Sequence, residues 1–184
     1  MTLRFPFLDG LRGLAALYVV LFHAFLVVQW RFHKLPGWLD WGTLPFQFGR
    51  SAVGVFIVLS GFVLALPLLA RETPFDIRGF LKRRLWRILP PYYAAVALGL
   101  LICATPVARS EKDWGNLFQP AFDTWPLLSH LFLIHNLVPE RAFTINISLW
   151  SLATEVQIYL VFAFLLVPFW KRFGIGAAVA VAGR

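Results

Sequence analysis

Apolar runs long enough to cross a membrane are the feature of this sequence that most constrains its fold. The first covers about residues 11–30 and is interrupted only by Arg12, His23 and Gln29. Since an α-helix rises ~1.5 Å per residue, such a run crosses a hydrocarbon core of ~30 Å. The chain is 59% hydrophobic and only 14% charged, whereas ~25% of the residues of a typical soluble domain are charged. A water-soluble globular fold is therefore excluded.

Comparable runs recur along the chain and together predict an all-α fold, a polytopic bundle of transmembrane helices. The predicted spans cover about residues 11–30, 49–70, 88–104 and 149–170, and a further one begins at 173–184. About a dozen residues cannot span a bilayer, so we expect a truncated chain that forms the N-terminal part of a single membrane domain. Because Cys103 is the only cysteine, we expect no internal disulfide, and the pattern offers no ligand set for a metal.

Basic residues near the ends of the runs predict how the chain is oriented. Six Lys and Arg residues lie between Arg71 and Arg87, which places this segment and the N-terminus in the cytoplasm by the positive-inside rule. The apolar stretch 125–138 is short for a span and contains His130 and His135. We predict that it lies at the outer face of the membrane. If it crossed instead, the basic pair that follows the next span would lie outside.

Arg12 and His23 are candidate functional residues because ionisable groups inside a membrane are costly. They are 11 residues apart, which places them on nearly the same face of a helix, ~16 Å apart along its axis. Arg12 has a simpler role open to it, a pairing with Asp9 one turn earlier. His23 can also serve as a neutral hydrogen-bonding group between helices, but a buried imidazole is equally suited to act as a general base.

Glu155 is the only acidic residue within a predicted span, and it shares one helical face with Ser148, Ser151 and Tyr159. This face is expected to point into the bundle. Glu155 can serve as a catalytic group, a proton relay, a cation site or an ion-pair partner. Ser60 and the glycine after it are consistent with a packing notch of small residues, and no GxSxG motif marks Ser60 as a hydrolase nucleophile.

The densest positive charge in the chain lies in the segment KRRLWR, residues 82–87. One interpretation is a topology signal or a contact with anionic lipid. The other follows from spacing, since Arg84 and Arg87 are neighbours on one helical face and guanidinium groups bind phosphate in a bidentate manner. A polyphosphate ligand from the cytoplasm fits this pair. A nucleic-acid partner is disfavoured, because the patch is short and adjoins an apolar run.

Four motifs follow one another along the chain. They are an Arg-x10-His pattern from Arg12 to His23, the segment VFIVLSGF at 55–62, an Arg-x-x-Arg pair at Arg84 and Arg87, and a Trp-Ser-Leu-x-x-Glu pattern that ends at Glu155. Together they resemble the membrane acyltransferase-3 family over almost the whole chain. The second motif departs from the family pattern at Ile57, which replaces a phenylalanine.

The resemblance implies an integral-membrane enzyme of a bacterial inner membrane, of which this chain supplies the first part. It implies acyl-CoA, foremost acetyl-CoA, as a donor that enters from the cytoplasm. The acceptor is then a hydroxyl of a cell-surface glycan or a lipid-linked sugar. Carried onto this sequence, it implies catalytic roles for His23, Arg12 and Glu155 and donor binding by Arg84 and Arg87, with no metal. Glu155 is expected to orient His23 or to bind the acceptor.

Two other classes of function fit parts of the sequence. A proton-coupled transporter is one, because intramembrane His, Glu and Arg side chains also line transport paths. A noncatalytic membrane fragment or assembly subunit is the other, because the last apolar run is too short to span. Consumption of acyl-CoA distinguishes the enzyme from both.

Overall fold

The computed structural model describes residues 6–32, 44–69, 75–106, 118–119 and 121–182, and every regular element in these ranges is helical. This confirms the predicted all-α fold. Position 70 and positions 183–184, at the ends of two predicted spans, lie outside the described residues. The elements are α1 (Pro6–Phe32), a 3-10 helix (Leu44–Phe48), α2 (Gly49–Leu69), α3 (Ile77–Ala104), α4 (Thr124–Leu131), a second 3-10 helix (His135–Leu137), α5 (Leu149–Val161), a π-helical turn (Phe162–Leu166) and α6 (Val167–Ala182).

Three of the described helical segments are long and apolar enough to span a membrane, as expected of an integral membrane protein. They are Pro6–Leu26, Ile77–Ala104 and Leu149–Gly174. Within α2, the segment Ser51–Leu66 is apolar but shorter. The chain forms two compact units, each described by itself below; α1 and α2 belong to the first, and the helices from α3 onward belong to the second.

In the first unit, α1 and α2 run antiparallel to each other. Arg12 faces Phe56, and nearer the connection between the helices Phe25 stacks on Phe46. Gly49 at the start of α2 permits this approach, because a Cβ atom there would overlap the ring of Phe22. Between Phe7 and Leu21, most of the large apolar side chains of α1 are exposed, as is suitable for a helix that contacts lipid or further helices.

In the second unit, α3 begins at Ile77, well before the span predicted from position 88. Asp76 starts the helix, since its Oδ1 accepts a hydrogen bond from the backbone N–H of Gly79 at 2.9 Å, which is the usual role of a helix-capping aspartate. The basic segment 82–87 therefore lies on helical turns, as the spacing argument for Arg84 and Arg87 requires, although the predicted span began only at position 88.

Residues 121–148 form short elements that lie along α3. The hydroxyl of Tyr92 donates to the carbonyl of His130 at 2.9 Å, and the thiol of Cys103 lies 3.7 Å from the carbonyl of Ile145. Gly99 lies between these contacts, and a Cβ there would come within 2.9 Å of Ile145. Ile145 has a φ of 62°, which is unusual for a β-branched residue. Neither α4 nor the 3-10 helix is long enough to span a bilayer alone.

The last helical stretch carries a local irregularity in its middle. A π-helical turn, Phe162–Leu166, joins α5 to α6, and such turns often occur at functional positions. It leaves Phe162 and Ala163 buried, with Phe162 against the rings of Phe75 and Phe80. Further along, Gly174 has a φ of 80° and interrupts the helical backbone, a conformation that glycine adopts without strain.

Candidate functional site

Arg12 lies in the first unit, half-buried, and has the partner that its spacing allows. Its Nη1 lies 3.7 Å from Oδ1 of Asp9, whose side chain is 64% exposed. Its guanidinium carbon is 5.3 Å from the centre of the Phe56 ring. The Nε of Arg12 is buried and has no hydrogen-bond partner. The pairing with Asp9 is therefore present, and it leaves one donor of Arg12 available.

His23 lies on the same helix and is half-buried. Its Nδ1 is 2.8 Å from the carbonyl oxygen of Val19, so Nδ1 carries the proton that this contact needs. In the neutral ring the lone pair then lies on Nε2, which can accept a proton. The ring packs edge-on against Phe22. Both of these contacts of His23 are with residues of α1 itself. Arg12 is about three turns away on the same helix, which is too far for contact with His23.

Ser60 on α2 is buried, and its hydroxyl has no partner. It lies one turn after Phe56, the residue that contacts Arg12. A Cβ at Gly61 would meet no atom within 4 Å. Within the described first unit, Gly61 therefore does not form the close packing notch that the sequence suggested.

Arg84 and Glu155 lie in the second unit, and Tyr159 joins them. The guanidinium carbon of Arg84 is 5.7 Å from the centre of the Tyr159 ring and 6.0 Å from that of Phe80. The hydroxyl of Tyr159 donates a hydrogen bond to Oε1 of Glu155. The predicted shared face of Glu155 and Tyr159 is thus a direct contact. One aromatic side chain therefore contacts a predicted phosphate-binding residue through its ring and a predicted catalytic residue through its hydroxyl.

Arg87, the other member of the Arg-x-x-Arg pair, is exposed one turn after Arg84. The ion pair found among the described residues joins Arg12 and Asp9, so neither Arg84 nor Arg87 has a carboxylate partner within the described ranges. Both guanidinium groups therefore keep donors for an anionic ligand. In the same ranges, no group of three acidic, histidine or cysteine side chains could hold a metal ion.

An amide pair between Asn136 and Gln157 was not predicted from the sequence. The Asn136 amide nitrogen donates to Oε1 of Gln157 at 3.0 Å, and the Gln157 amide donates back to Oδ1 of Asn136 at 2.7 Å. Asn136 also donates to Thr154, and Gln157 to the carbonyl of Leu133. These bonds fix the loop after α4 on the helix that carries Glu155. The sequence did contain a signal for this pair, because each of the two amides interrupts an apolar run.

A buried pair of histidines was noticed in the sequence only as an interruption of an apolar stretch. The rings of His130 and His135 are stacked with centres 3.9 Å apart, both fully buried, and Tyr92 lies beside His135. Burial lowers the pKa of His130, and burial with the neighbouring His130 lowers the pKa of His135 to about 4. Nε2 of His135 has no partner. The ring of His135 is therefore neutral at pH 7.

Comparisons with known proteins point to one family. The acyltransferase-3 model, described as an acyltransferase domain, matches residues 5–183. BcsY of Komagataeibacter xylinus, named as a candidate membrane-bound transacylase, is 31% identical over 83% of this chain and 34% of its own length. The peptidoglycan O-acetyltransferase OatA of Listeria monocytogenes is 29% identical over 88% of this chain and 24% of its own length.

A candidate O-acetyltransferase of Staphylococcus aureus strain COL is 30% identical over 93% of this chain and 27% of its own length. The chain thus spans about a quarter to a third of the length of these relatives. No solved structure matches it.

Proposed function

The chain belongs to the acyltransferase-3 family, and from that premise we propose that it carries the donor-binding and proton-transfer groups of a membrane-embedded O-acyltransferase. The donor is acyl-CoA, foremost acetyl-CoA. The acceptor is a hydroxyl group of a cell-surface glycan or a lipid-linked sugar. The names of relatives support acyl transfer to oxygen, since one of them is a peptidoglycan O-acetyltransferase.

The observation that carries the proposal is the setting of Arg84. Its guanidinium lies against the rings of Phe80 and Tyr159, and no carboxylate within the described ranges neutralises it. A guanidinium that contacts aromatic rings keeps its N–H donors for an anionic ligand, because ring faces do not accept strong hydrogen bonds from it. Exposed Arg87 supplies a second fork one turn away. The diphosphate of acyl-CoA matches two such forks better than a single lipid phosphate does.

We assign the general base to His23. In the proposed step the acceptor oxygen attacks the thioester carbonyl carbon while Nε2 of His23 takes the hydroxyl proton. The carbon–sulfur bond then breaks, and the departing CoA thiolate receives that proton from the imidazolium. Support comes from the Nδ1 contact with the Val19 carbonyl, which leaves Nε2 as the acceptor nitrogen.

Arg12 and Glu155 complete the proposed set. The free Nε–H of Arg12 is suited to an anionic or carbonyl oxygen of the donor. Glu155, which accepts a hydrogen bond from Tyr159, is suited to hold an acceptor hydroxyl. We place the N-terminus and the basic turns of α3 in the cytoplasm, where acyl-CoA is made, in a bacterial plasma membrane.

The test is transfer of radiolabelled acetyl groups from acetyl-CoA in membranes that contain this chain, and in membranes where it is extended to the length of its relatives. We expect transfer to membrane glycan, release of free CoA, and loss of both with Arg84→Ala and Arg87→Ala combined. Wild-type protein that is inserted and stable yet releases no CoA in either form would refute the proposal. Proton-driven uptake without CoA release would identify a transporter instead.

A further inference from the structure

The geometry points to Tyr159 as a positioning residue that links donor binding to the catalytic carboxylate. Its ring holds Arg84 in the orientation that receives phosphate, and its hydroxyl holds Glu155. This inference rests on the proposed function and adds to it, because it assigns a role to a side chain that bears no charge and lies between the two groups.

Arg84 contacts two aromatic rings. The rings of Phe80 and Tyr159 meet at 80° with centres 6.0 Å apart, and the Arg84 guanidinium lies near both. Phe80 lies one turn before Arg84 on α3, whereas Tyr159 comes from α5. A long flexible side chain that touches two differently oriented rings loses most of its rotational freedom before any ligand arrives. Binding of phosphate then requires less ordering.

The hydroxyl of Tyr159 donates a hydrogen bond to Glu155. A phenol that donates to a carboxylate becomes more electron-rich, because neighbouring hydrogen bonds polarise one another. A richer ring face attracts a cation more strongly. The negative charge of Glu155 is thereby felt at Arg84 through the ring, although the two charged groups do not form an ion pair.

Tyr159 is held in place by its surroundings. Its side chain is only 2% exposed, and the ring packs edge-on against Phe80. Phe80 in turn packs on Phe75 and on Phe162, the first residue of the π-helical turn. We therefore regard the aromatic cluster, Phe75, Phe80, Tyr159 and Phe162, as the rigid support. Tyr159 is its only member with a polar group.

The two parts of Tyr159 can be removed separately. Tyr159→Phe keeps the ring and deletes the bond to Glu155, so we expect kcat to fall about tenfold while the KM for acetyl-CoA changes less than threefold. Tyr159→Leu also deletes the ring face, so we expect the KM for acetyl-CoA to rise about five- to thirtyfold as well. The measurement is steady-state acetyl transfer by the extended chain at a saturating acceptor concentration.

Phe162→Leu is the matched control, because it removes a ring from the same cluster without removing a contact to Arg84 or Glu155. We expect this variant to lose thermal stability and to keep its KM for acetyl-CoA. Equal rises in KM for Phe162→Leu and Tyr159→Leu would overturn the inference and leave a structural role only. The proposed function would survive that result, since wild-type transfer and the effect of Arg84→Ala are measured in the same series.

A measurement without turnover covers the case in which no transfer is detected. Thermal unfolding in detergent is followed for Arg84→Ala, Glu155→Gln and the double variant, first with Tyr159 and then with Tyr159→Phe. We expect the two changes to be nonadditive when the hydroxyl is present and additive when it is absent. Additivity in both backgrounds would overturn the linkage, whatever the enzyme's donor proves to be.

Discussion

In α1, the hydrogen bond of His23 and the ion pair of Arg12 stay within the helix, although Arg12 also faces Phe56 on α2, whereas hydrogen bonds of the second unit join residues far apart in the sequence. His23 bonds to Val19, four residues away, and Arg12 pairs with Asp9, three residues away. Tyr92 reaches 38 residues to His130. Burial differs in the same direction, since 11% of the apolar window in α1 is buried within the protein and 39% of that in the Leu149–Gly174 segment.

This difference separates two ways of placing a reactive group in a membrane. Some reactive residues have their hydrogen-bond or ion-pair partner on their own helix. Replacing such a residue breaks no contact between helices, so we expect it to reduce activity and to leave stability unchanged. A residue bonded across elements supports the fold and the chemistry together, so its loss should reduce both. Variants of each kind, measured for both activity and stability, test that division.

His23→Ala should lower the turnover of the extended chain by about 10²- to 10⁴-fold on the proposed mechanism, the usual contribution of a general base. The melting temperature in detergent should stay near that of the wild type, because the lost contact is to the helix's own backbone. Acetyl transfer and thermal unfolding are measured on the same preparation.

Phe22→Leu, which changes the ring beside His23, is the control for packing and should affect turnover far less. Wild-type turnover in His23→Ala would remove the base assignment. A large loss of stability in that variant would show that α1 depends on the imidazole for folding, and the proposed division between the two units would fail.

Acid should destabilise the second unit through the buried histidines. The folded-state pKa of His135 lies at about 4, below the ordinary value of ~6.5, so the unfolded chain binds more protons between these values. The stability that depends on neutral His135 is therefore fully present above about pH 6.5, and it is lost as the pH falls toward 4. By linkage, the loss at pH 5 is about 2 kcal/mol. Thermal unfolding between pH 8 and pH 5 measures it.

His135→Gln should flatten this pH dependence, whatever its effect on absolute stability. Ser129→Ala, at a neighbouring buried residue that does not titrate near neutral pH, serves as the control and should keep the slope. An unchanged slope in His135→Gln would mean that the acid sensitivity of the second unit arises elsewhere.

The amide pair should show an effect on stability of similar size. Asn136→Leu or Gln157→Leu alone leaves the partner amide without its bond, and we expect a loss of about 1 to 3 kcal/mol for each. The double variant should lose less than the sum, because no amide is left unsatisfied. Thr154→Val, which removes one bond of the group, is the milder control. Strict additivity of the two leucine variants would contradict the coupling.

The sequence predicted those parts of the fold and the site that depend on short-range patterns. Length and hydropathy gave the helices, and 3/4 spacing placed Glu155 and Tyr159 on one face. The contact of Tyr159 with Arg84 depends on how α3 packs on α5, and side chains 75 residues apart leave no periodic signal. The stacked pair His130 and His135 was missed for a different reason, since the two residues are close in sequence but the turn between α4 and the second 3-10 helix, which brings their rings together, follows no periodic pattern.

The smallest effect is expected at Asp9. Its carboxylate is largely exposed and lies 3.7 Å from Arg12, and exposed ion pairs contribute ~0 to 1 kcal/mol. Asp9→Asn should therefore leave the melting temperature nearly unchanged and keep acetyl transfer close to the wild-type rate. Arg12→Met, which keeps the apolar stem and deletes the guanidinium that faces Phe56, should lower transfer strongly at similar stability. Equal losses of acetyl transfer in Asp9→Asn and Arg12→Met would mean that Arg12 acts only through its pair with Asp9. The ion pair, and not the free guanidinium donor, would then be what α1 contributes at this position.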